Sequence, residues 1–249
     1  MKRDFSRQTT RLAPCNRTGS CTKHRERLGF VTVIDRAALQ AHIRSVLKRN
    51  PFIIPSAPVL KREPPTGPQW LHEVKFDGWR AQLHKAGDEV AIFTRYGHDY
   101  TMRFLIIRDS VLALPARSAI IDAEIVVCDD DGKPDFRALM EGKPGELCAW
   151  CFDLLEVNGK GLRRRTLIER KAMLRHLLNK ADDHVLRFSE TFPDPVKLLA
   201  AANKAGLEGI VSKLANQPYR SGKNPGWIKV KCKAWKEANK DRWEMFEWG

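Results

Sequence analysis

The sequence predicts an α+β fold, and three observations carry that expectation. Segments with the two-residue alternation of strands are mixed with segments of helical period in an irregular order. No stretch repeats internally. Several of the strand-like runs also carry charged residues inside otherwise apolar sequence, as in Ile120-Ile121-Asp122-Ala123-Glu124-Ile125.

Residues 1–34 read as a basic, flexible arm rich in Ser, Thr and Arg, without hydrophobic period. From Asp35, an N-cap, Leu39, Ile43, Val46 and Leu47 recur at helical spacing until Asn50-Pro51. Pro51 to Pro68 holds six prolines and reads as an extended strap wrapping a domain rather than forming its core. Trp70 to Lys85 and Glu89 to Tyr96, on either side of Ala86-Gly87-Asp88, read as a hairpin. Tyr100 to Leu114 reads as a helix with Phe104, Ile107 and Val111 on one side, ended by Pro115. Ala119 to Asp129 is an apolar strand before the turn Asp130-Asp131-Gly132, and Cys148 to Leu155 a short strand closed by Asn158-Gly159.

Leu167 to Leu178 has the helical period through Leu167, Lys171, Leu174 and Leu178, with basic residues outside. Val185 to Ser189 reads as a strand, and Pro195 to Ala205 as a helix that Gly206 ends. Gly209 to Lys213 and Trp227 to Lys233 read as further strands. The tail from Ala234 to Trp248 is amphipathic, and Trp235, Ala238, Trp243 and Phe246 would dock it as a closing helix.

Length and composition bound the function. A chain of 249 residues buries a proper core as one large domain or two small ones. Residues 1–50 carry twelve of the 44 Lys and Arg but only three of the 30 Asp and Glu, so the net charge of +14 sits mostly there. That excess points to a polyanionic partner, nucleic acid before membrane; ordinary solubilising charge is the alternative. The N-terminus lacks the apolar core of a secretory signal, and no run approaches a membrane span. A reducing compartment is therefore expected, with the six cysteines unpaired. Cys15, Cys21 and His24 match no common zinc spacing.

The motifs of a phosphate-binding loop, a dinucleotide fold, a zinc protease and a serine hydrolase are all absent. What the chain offers instead is charge planted in strands. In an extended Glu73-Val74-Lys75-Phe76-Asp77, period two puts Glu73, Lys75 and Asp77 on one face. Locally, such a lysine is either a structural ion pair or an activated nucleophile. Asp122 and Glu124 share a face, as do Glu208 and Ser212, while Trp227, Lys229 and Lys231 project together and Ile228, Val230 and Cys232 face the core. Lysines, arginines and acids in this number are the equipment to hold a polyphosphate and its metal ion around a nucleophile.

The ordered set resembles the covalent nucleotidyltransferases, and among them the ATP-dependent DNA ligases. The motif K-x-D-G-x-R stands as Lys75-Phe76-Asp77-Gly78-Trp79-Arg80, followed by Thr94-Arg95-Tyr96-Gly97, Asp122-Ala123-Glu124, Phe152-Asp153-Leu154-Leu155, Glu208 to Lys213 and Lys229-Val230-Lys231. The stretches Trp70 to Gly78 and Pro218 to Gly222 look most like the ligase module of bacterial end-joining ligases. The resemblance implies an adenylation domain over residues 35–233, with antiparallel sheets flanked by helices, and a C-terminal tail, 234–249, without the OB-fold that ligases usually carry next.

The same resemblance implies roles. Lys75 would take AMP from ATP as a phosphoramidate, its pKa lowered by Mg²⁺ (or Mn²⁺) and by Lys229 or Lys231. Phe152 and Val211 would sandwich adenine, Glu73 and Val74 would border it, and Arg80, Arg95 and Glu124 would hold ribose or phosphate. Glu124 and Glu208 would place metal. The expected activity is sealing of nicked or broken duplex DNA in repair, in the cytoplasm with the nucleoid and away from membranes. End-joining proteins, or a second chain that supplies an OB-fold, are the expected partners. A non-catalytic DNA nick- or end-binding protein that retains the fold is the alternative. Tyr96 stands where an Asn is usual and Ala123 where a Gly is, which bears on the ribose or nucleic-acid contact.

Overall fold

The computed structural model describes residues 41, 45–46, 51–129, 134–143, 145–179 and 184–240. All of these but Ala41 belong to one compact unit, Ile43–Gly249. The basic arm with Cys15, Cys21 and His24, most of the helix expected from Asp35, the turn at Asp130-Asp131-Gly132, and Trp243 and Phe246 lie outside the described residues. Among the described residues no helix is long and apolar enough to cross a membrane. Cys128, Cys148, Cys151 and Cys232 are free and buried.

Two sheets build the domain. The first has β1 (Ser56–Leu60), β2 (Trp70–Lys75), β9 (Gly209–Leu214) and β10 (Gly222–Lys231), in the order β1-β10-β9-β2. The second runs β4-β3-β5-β6-β7, from β3 (Trp79–Ala86), β4 (Glu89–Thr94), β5 (Ser118–Cys128), β6 (Glu146–Val157) and β7 (Lys160–Gly161), with β8 (Leu186–Phe188) beside β6. Their pairings are antiparallel except β1 with β10 and β6 with β8. The helices are α1 (Leu105–Leu112), α2 (Phe136–Glu141), α3 (Leu167–Leu178), α4 (Pro195–Lys204) and α5 (Lys233–Ala238).

The main core follows from alternation along β5. Ala119, Ile121, Ala123, Ile125 and Val127 pack with Ala81 and Leu83 of β3, Ile107 and Val111 of α1, and Leu174 and Leu178 of α3. Asp122 and Glu124 therefore share the other face, as the two-residue period requires. A smaller core under the first sheet joins Ile210, Val230 and Cys232 to Leu198, Ala202 and Trp235. Helix α3 starts where expected because Thr166 and Glu169 cap each other's backbone reciprocally. Helix α4 starts at Pro195, with the Asp194 carboxylate accepting from the N–H groups of Val196 and Lys197.

The structure departs from the sequence reading in several places. The expected strand Trp70 to Lys85 is two strands in different sheets, broken at Phe76-Asp77-Gly78. A Cβ at Gly78 would lie 2.2 Å from the Ile125 carbonyl oxygen, so the chain turns there with its backbone pressed on β5. Asp77 consequently stands outside β2, though it lines the same cavity as Glu73 and Lys75. The hairpin itself survives as β3 and β4, with Gly87 at φ 67° in its turn. The proline strap supplies an edge strand, β1, whose pairing with β10 shifts register between Pro58 and Val59, where proline gives no N–H to the ladder. Strand β6 is longer than expected because β5 offers it partners as far as Cys128. Strand β10 starts earlier, at Gly222, and stops at Lys231. On α3 one basic residue is not outside: Arg170 is fully buried, bidentate on Asp153 at 2.7 and 2.9 Å.

Candidate active site

Register sets out the first wall. Glu73 pairs with Val211, which pairs with Lys229; Lys75 pairs with Gly209, which pairs with Lys231. Two rows thus cross the sheet, and the second has a lysine on each side of a glycine. A Cβ at Gly209 would meet the Val230 carbonyl oxygen at 2.0 Å, so only glycine lets these strands close up. Glu208, just before β9, reaches both lysines: Oε2 is 2.7 Å from Lys75 Nζ, and Oε1 is 3.1 Å from Lys231 Nζ.

Glu73 is buried and saturated differently. Its Oε1 accepts from Lys171 Nζ at 2.9 Å, and its Oε2 from Lys213 Nζ at 2.8 Å and Ser189 Oγ at 3.1 Å. Burial would raise this carboxyl, but the two ammonium groups outweigh it and hold it below the usual range. Burial lowers Lys213, against the pull of Glu73.

The second sheet supplies the other wall. Arg80, Glu124 and Trp150 stand in one row across β3, β5 and β6. Arg80 forms a fork on Asp122, Nε to Oδ1 at 3.0 Å and Nη2 to Oδ2 at 2.7 Å. The Tyr219 hydroxyl donates to Asp122 Oδ2 at 2.7 Å and accepts from the Ser56 N–H at 2.9 Å. Burial works against the Arg80 charge, but Asp122 more than compensates and raises its pKa. The guanidinium lies 5.3 Å from the Phe152 ring centre and 5.8 Å from that of Trp227. Arg95 is exposed at the rim beside Tyr96, itself 73% exposed, in a turn that Gly97 closes at φ 82°.

Glu124 is the exception. Among the described residues it makes no hydrogen bond and no ion pair. Burial pushes its carboxyl up to about 7; Lys75 opposes this and Glu208 adds to it. On Lys75 the protein's own groups act without the metal ion that the expected lowering includes. Burial would lower the ammonium, but attraction to Glu208 and Glu124 outweighs it and holds the pKa above the ordinary lysine value. The neighbouring lysines do not prevail because Glu208 lies closer than they do. Lys229 and Lys231 are themselves lowered, by burial first.

A single cavity of about 900 Å³ gathers every residue singled out from the sequence: Glu73, Val74, Lys75, Arg80, Arg95, Glu124, Phe152, Glu208, Val211, Lys229 and Lys231 all line it. Val74 does so at the margin, since its side chain packs under the sheet with Ile210 and Val230. Ser212 does not join Glu208. It turns to the opposite face, 2.8 Å from His72 Nδ1, and Lys213 takes the cavity side. The alternation that exposes Val211 to the cavity puts Lys213 there too, a signal present in the sequence. Lys171 was legible as a charge on the inner face of a helix. Tyr219, Ser189 and Trp235 reach the site by tertiary packing alone.

A model of the ATP-dependent DNA ligase domain matches residues 41–231. The multifunctional non-homologous end joining protein LigD of Pseudomonas aeruginosa is 39% identical over 186 residues, which is 73% of this chain and 22% of that protein. A probable DNA ligase of Beutenbergia cavernae is 37% identical over 178 residues, 64% of this chain and 33% of that one. Among solved structures, a mycobacterial DNA ligase D complexed with ATP and MES superposes with a TM-score of 0.64 at 26% identity, over 72% of this chain and 60% of the other. The fold is the nucleotidyltransferase fold of ligases, and the chain belongs to the ATP-dependent DNA ligase domain family. It spans between about a fifth and a third of the two curated relatives.

Proposed function

We propose that this protein is an ATP-dependent ligase module that moves AMP from ATP to Lys75 and on to a 5′-phosphate in nicked or broken duplex DNA, during DNA repair. The observation that carries the reading is the shared carboxylate of Glu208, between Lys75 and Lys231, in a cavity whose other wall holds Phe152, Arg80 and Glu124.

The chemistry follows from the placement. Lys75 Nζ first gives a proton to Glu208 Oε2, 2.7 Å away. The free amine attacks the α-phosphorus; the N–P bond forms as the P–O bond to pyrophosphate breaks, and the second nitrogen proton passes to solvent. Lys229 and Lys231 project where negative charge accumulates on the phosphates. Phe152 and Val211 border the base. Glu73 already accepts three hydrogen bonds, which leaves about one of its four acceptor sites to select an exocyclic amino group.

The acids fit a divalent cation. Glu124 is an unpaired carboxylate beside Glu208, and two hard oxygen donors with nucleotide phosphates suit Mg²⁺ or Mn²⁺. Bound there, the ion would neutralise phosphate charge. Duplex DNA as partner agrees with the net charge of +14. End-joining proteins, or a chain that carries an OB-fold, are the partners we propose for it on the nucleoid.

The test is incubation with α-labelled ATP and Mg²⁺. Acid-stable label that survives hydroxylamine is expected on the wild-type chain and absent from Lys75→Ala. No label, together with no sealing of a pre-adenylated nick, rules the reading out.

A further inference from the structure

Trp235 stands beyond the family match, which ends at residue 231. It belongs to α5, which the sequence reading treated as a tail that merely closes the core. Its indole is only 6% exposed and packs against Leu198, Ala202 and Val230. The helix is tied down on both sides: the Ala234 N–H donates to Asn203 Oδ1 at 3.0 Å, and the Cys232 N–H to the Glu208 carbonyl at 2.9 Å.

From this fixed position the ring meets two residues of the nucleotidyl-transfer motifs. Its Nε1–H donates to Asp77 Oδ2 at 3.2 Å, and its face lies 4.2 Å from Lys231 Nζ. Asp77 sits in the loop that carries the chain from Lys75 into the second sheet, while Lys231 shares Glu208 with Lys75. A single rigid aromatic side chain therefore meets both Asp77, two residues beyond Lys75, and Lys231, which shares Glu208 with Lys75. It also lines the cavity itself.

We infer that Trp235 is a positioning residue of this site: its ring face aims Lys231 at the phosphates, and its N–H holds the Asp77 loop in register with Lys75. The inference rests on the nucleotidyl-transfer reading above. Its physical basis is preorganisation. A lysine carries a long, flexible stem, and an ammonium held over an indole face in a partly dry site loses less freedom when charge develops nearby. Trp235 touches neither nucleotide nor reacting atoms in this argument, so its effect passes through Lys231 and Asp77.

The experiment is a double-mutant cycle on the full chain with Trp235→Leu and Lys231→Met, alone and together, plus Trp235→Phe. Two quantities are read: the single-turnover rate of labelling by ATP, and the affinity for α,β-methylene-ATP by calorimetry. Trp235→Leu is expected to cost about three- to thirtyfold in rate, the range of a partly desolvated cation–π contact. In the Lys231→Met background the same change should cost less than about twofold, because the partner is gone. Trp235→Phe, which keeps a ring over Lys231, should recover most of the rate. Equal costs in both backgrounds, or Trp235→Phe as damaging as Trp235→Leu, overturn the inference. If Trp235→Leu does not fold, Trp235→Met, which keeps apolar volume but no ring, carries the cycle with and without Lys231→Met, and additive costs there overturn it too. Wild-type chain that takes no label and seals no pre-adenylated nick, but shows the coupling in analogue affinity, would sink the ligase reading and leave this one standing. Label with no coupling does the reverse, and wild-type chain that neither labels, seals a pre-adenylated nick nor binds the analogue removes both.

Discussion

The Arg80–Asp122–Tyr219 cluster and the Lys75–Glu208–Lys231 cluster face the same cavity from different sheets, yet their charges are balanced in opposite ways. Asp122 is matched to its own cation: Arg80 takes both oxygens and Tyr219 adds a third bond, while Ser56 closes the network from β1. Asp153 with Arg170 repeats the pattern deeper down, where both side chains are fully buried. Across the cavity, one carboxylate serves two lysines, Lys229 stands near them without its own acid, and Glu124 has no partner among the described residues. A saturated pair holds its shape because every alternative costs desolvation. An unbalanced set is a site prepared for charge that arrives with a substrate.

The difference can be broken or sharpened by substitution. The largest effect should come from Lys75→Arg, which keeps the positive charge and the Glu208 contact but removes the nucleophile. Covalent labelling should fall at least about a thousandfold, with the urea midpoint almost unmoved; a surviving label would place the nucleophile elsewhere. Next, Asp153→Asn leaves the buried Arg170 without its counter-charge and should cost about 3–5 kcal/mol of unfolding free energy. A loss below about 1 kcal/mol would mean that this pair is not the rigid member of the comparison.

Glu124→Gln should do the opposite and stabilise the chain. Its folded carboxyl is pushed up to about 7 from 4.5, so between those values the folded chain keeps a proton that the unfolded chain releases. The ionised form is the strained one, and its cost grows as pH rises through this window and is complete above about 7. The variant should therefore gain about 1–3 kcal/mol at pH 8 and almost nothing at pH 4, while AMP transfer fails. A gain that does not depend on pH would show that burial of charge is not the cause. The smallest effect is Tyr219→Phe, which leaves the Ser56 N–H and one Asp122 lone pair unmatched. Chemical denaturation should show a loss of about 1–2 kcal/mol.

Much of the site was legible before the fold. Alternation along β5 put Asp122 and Glu124 on one face, and alternation along β10 did the same for Trp227, Lys229 and Lys231, because a strand side chain has only two directions to choose from. Helix α3 announced itself through period, and α4 through the Gly206 that ends it; the caps at Thr166 and Asp194 were there to be read as well. What period cannot carry is the point where a strand leaves its sheet. Ser212 was misplaced for that reason, because Glu208 stands one residue outside β9, and Asp77 reaches the cavity from the turn at Gly78 rather than from β2.

The sequence alone determined the class of fold and the residues that gather around Lys75, the nucleophile proposed above, since these follow from local spacing and from the order of motifs. Tertiary structure decided how their charges are settled. Among the protein's own groups, Glu208 at 2.7 Å outweighs burial and holds Lys75 raised. Glu124 was one acid among several, and its lack of a hydrogen bond or ion pair among the described residues makes it the unsettled one. Trp235 was a core residue of a tail, and only packing brings its ring to Lys231 and Asp77. Coulombic energy depends on distance and on the surrounding dielectric, and neither exists until distant strands meet.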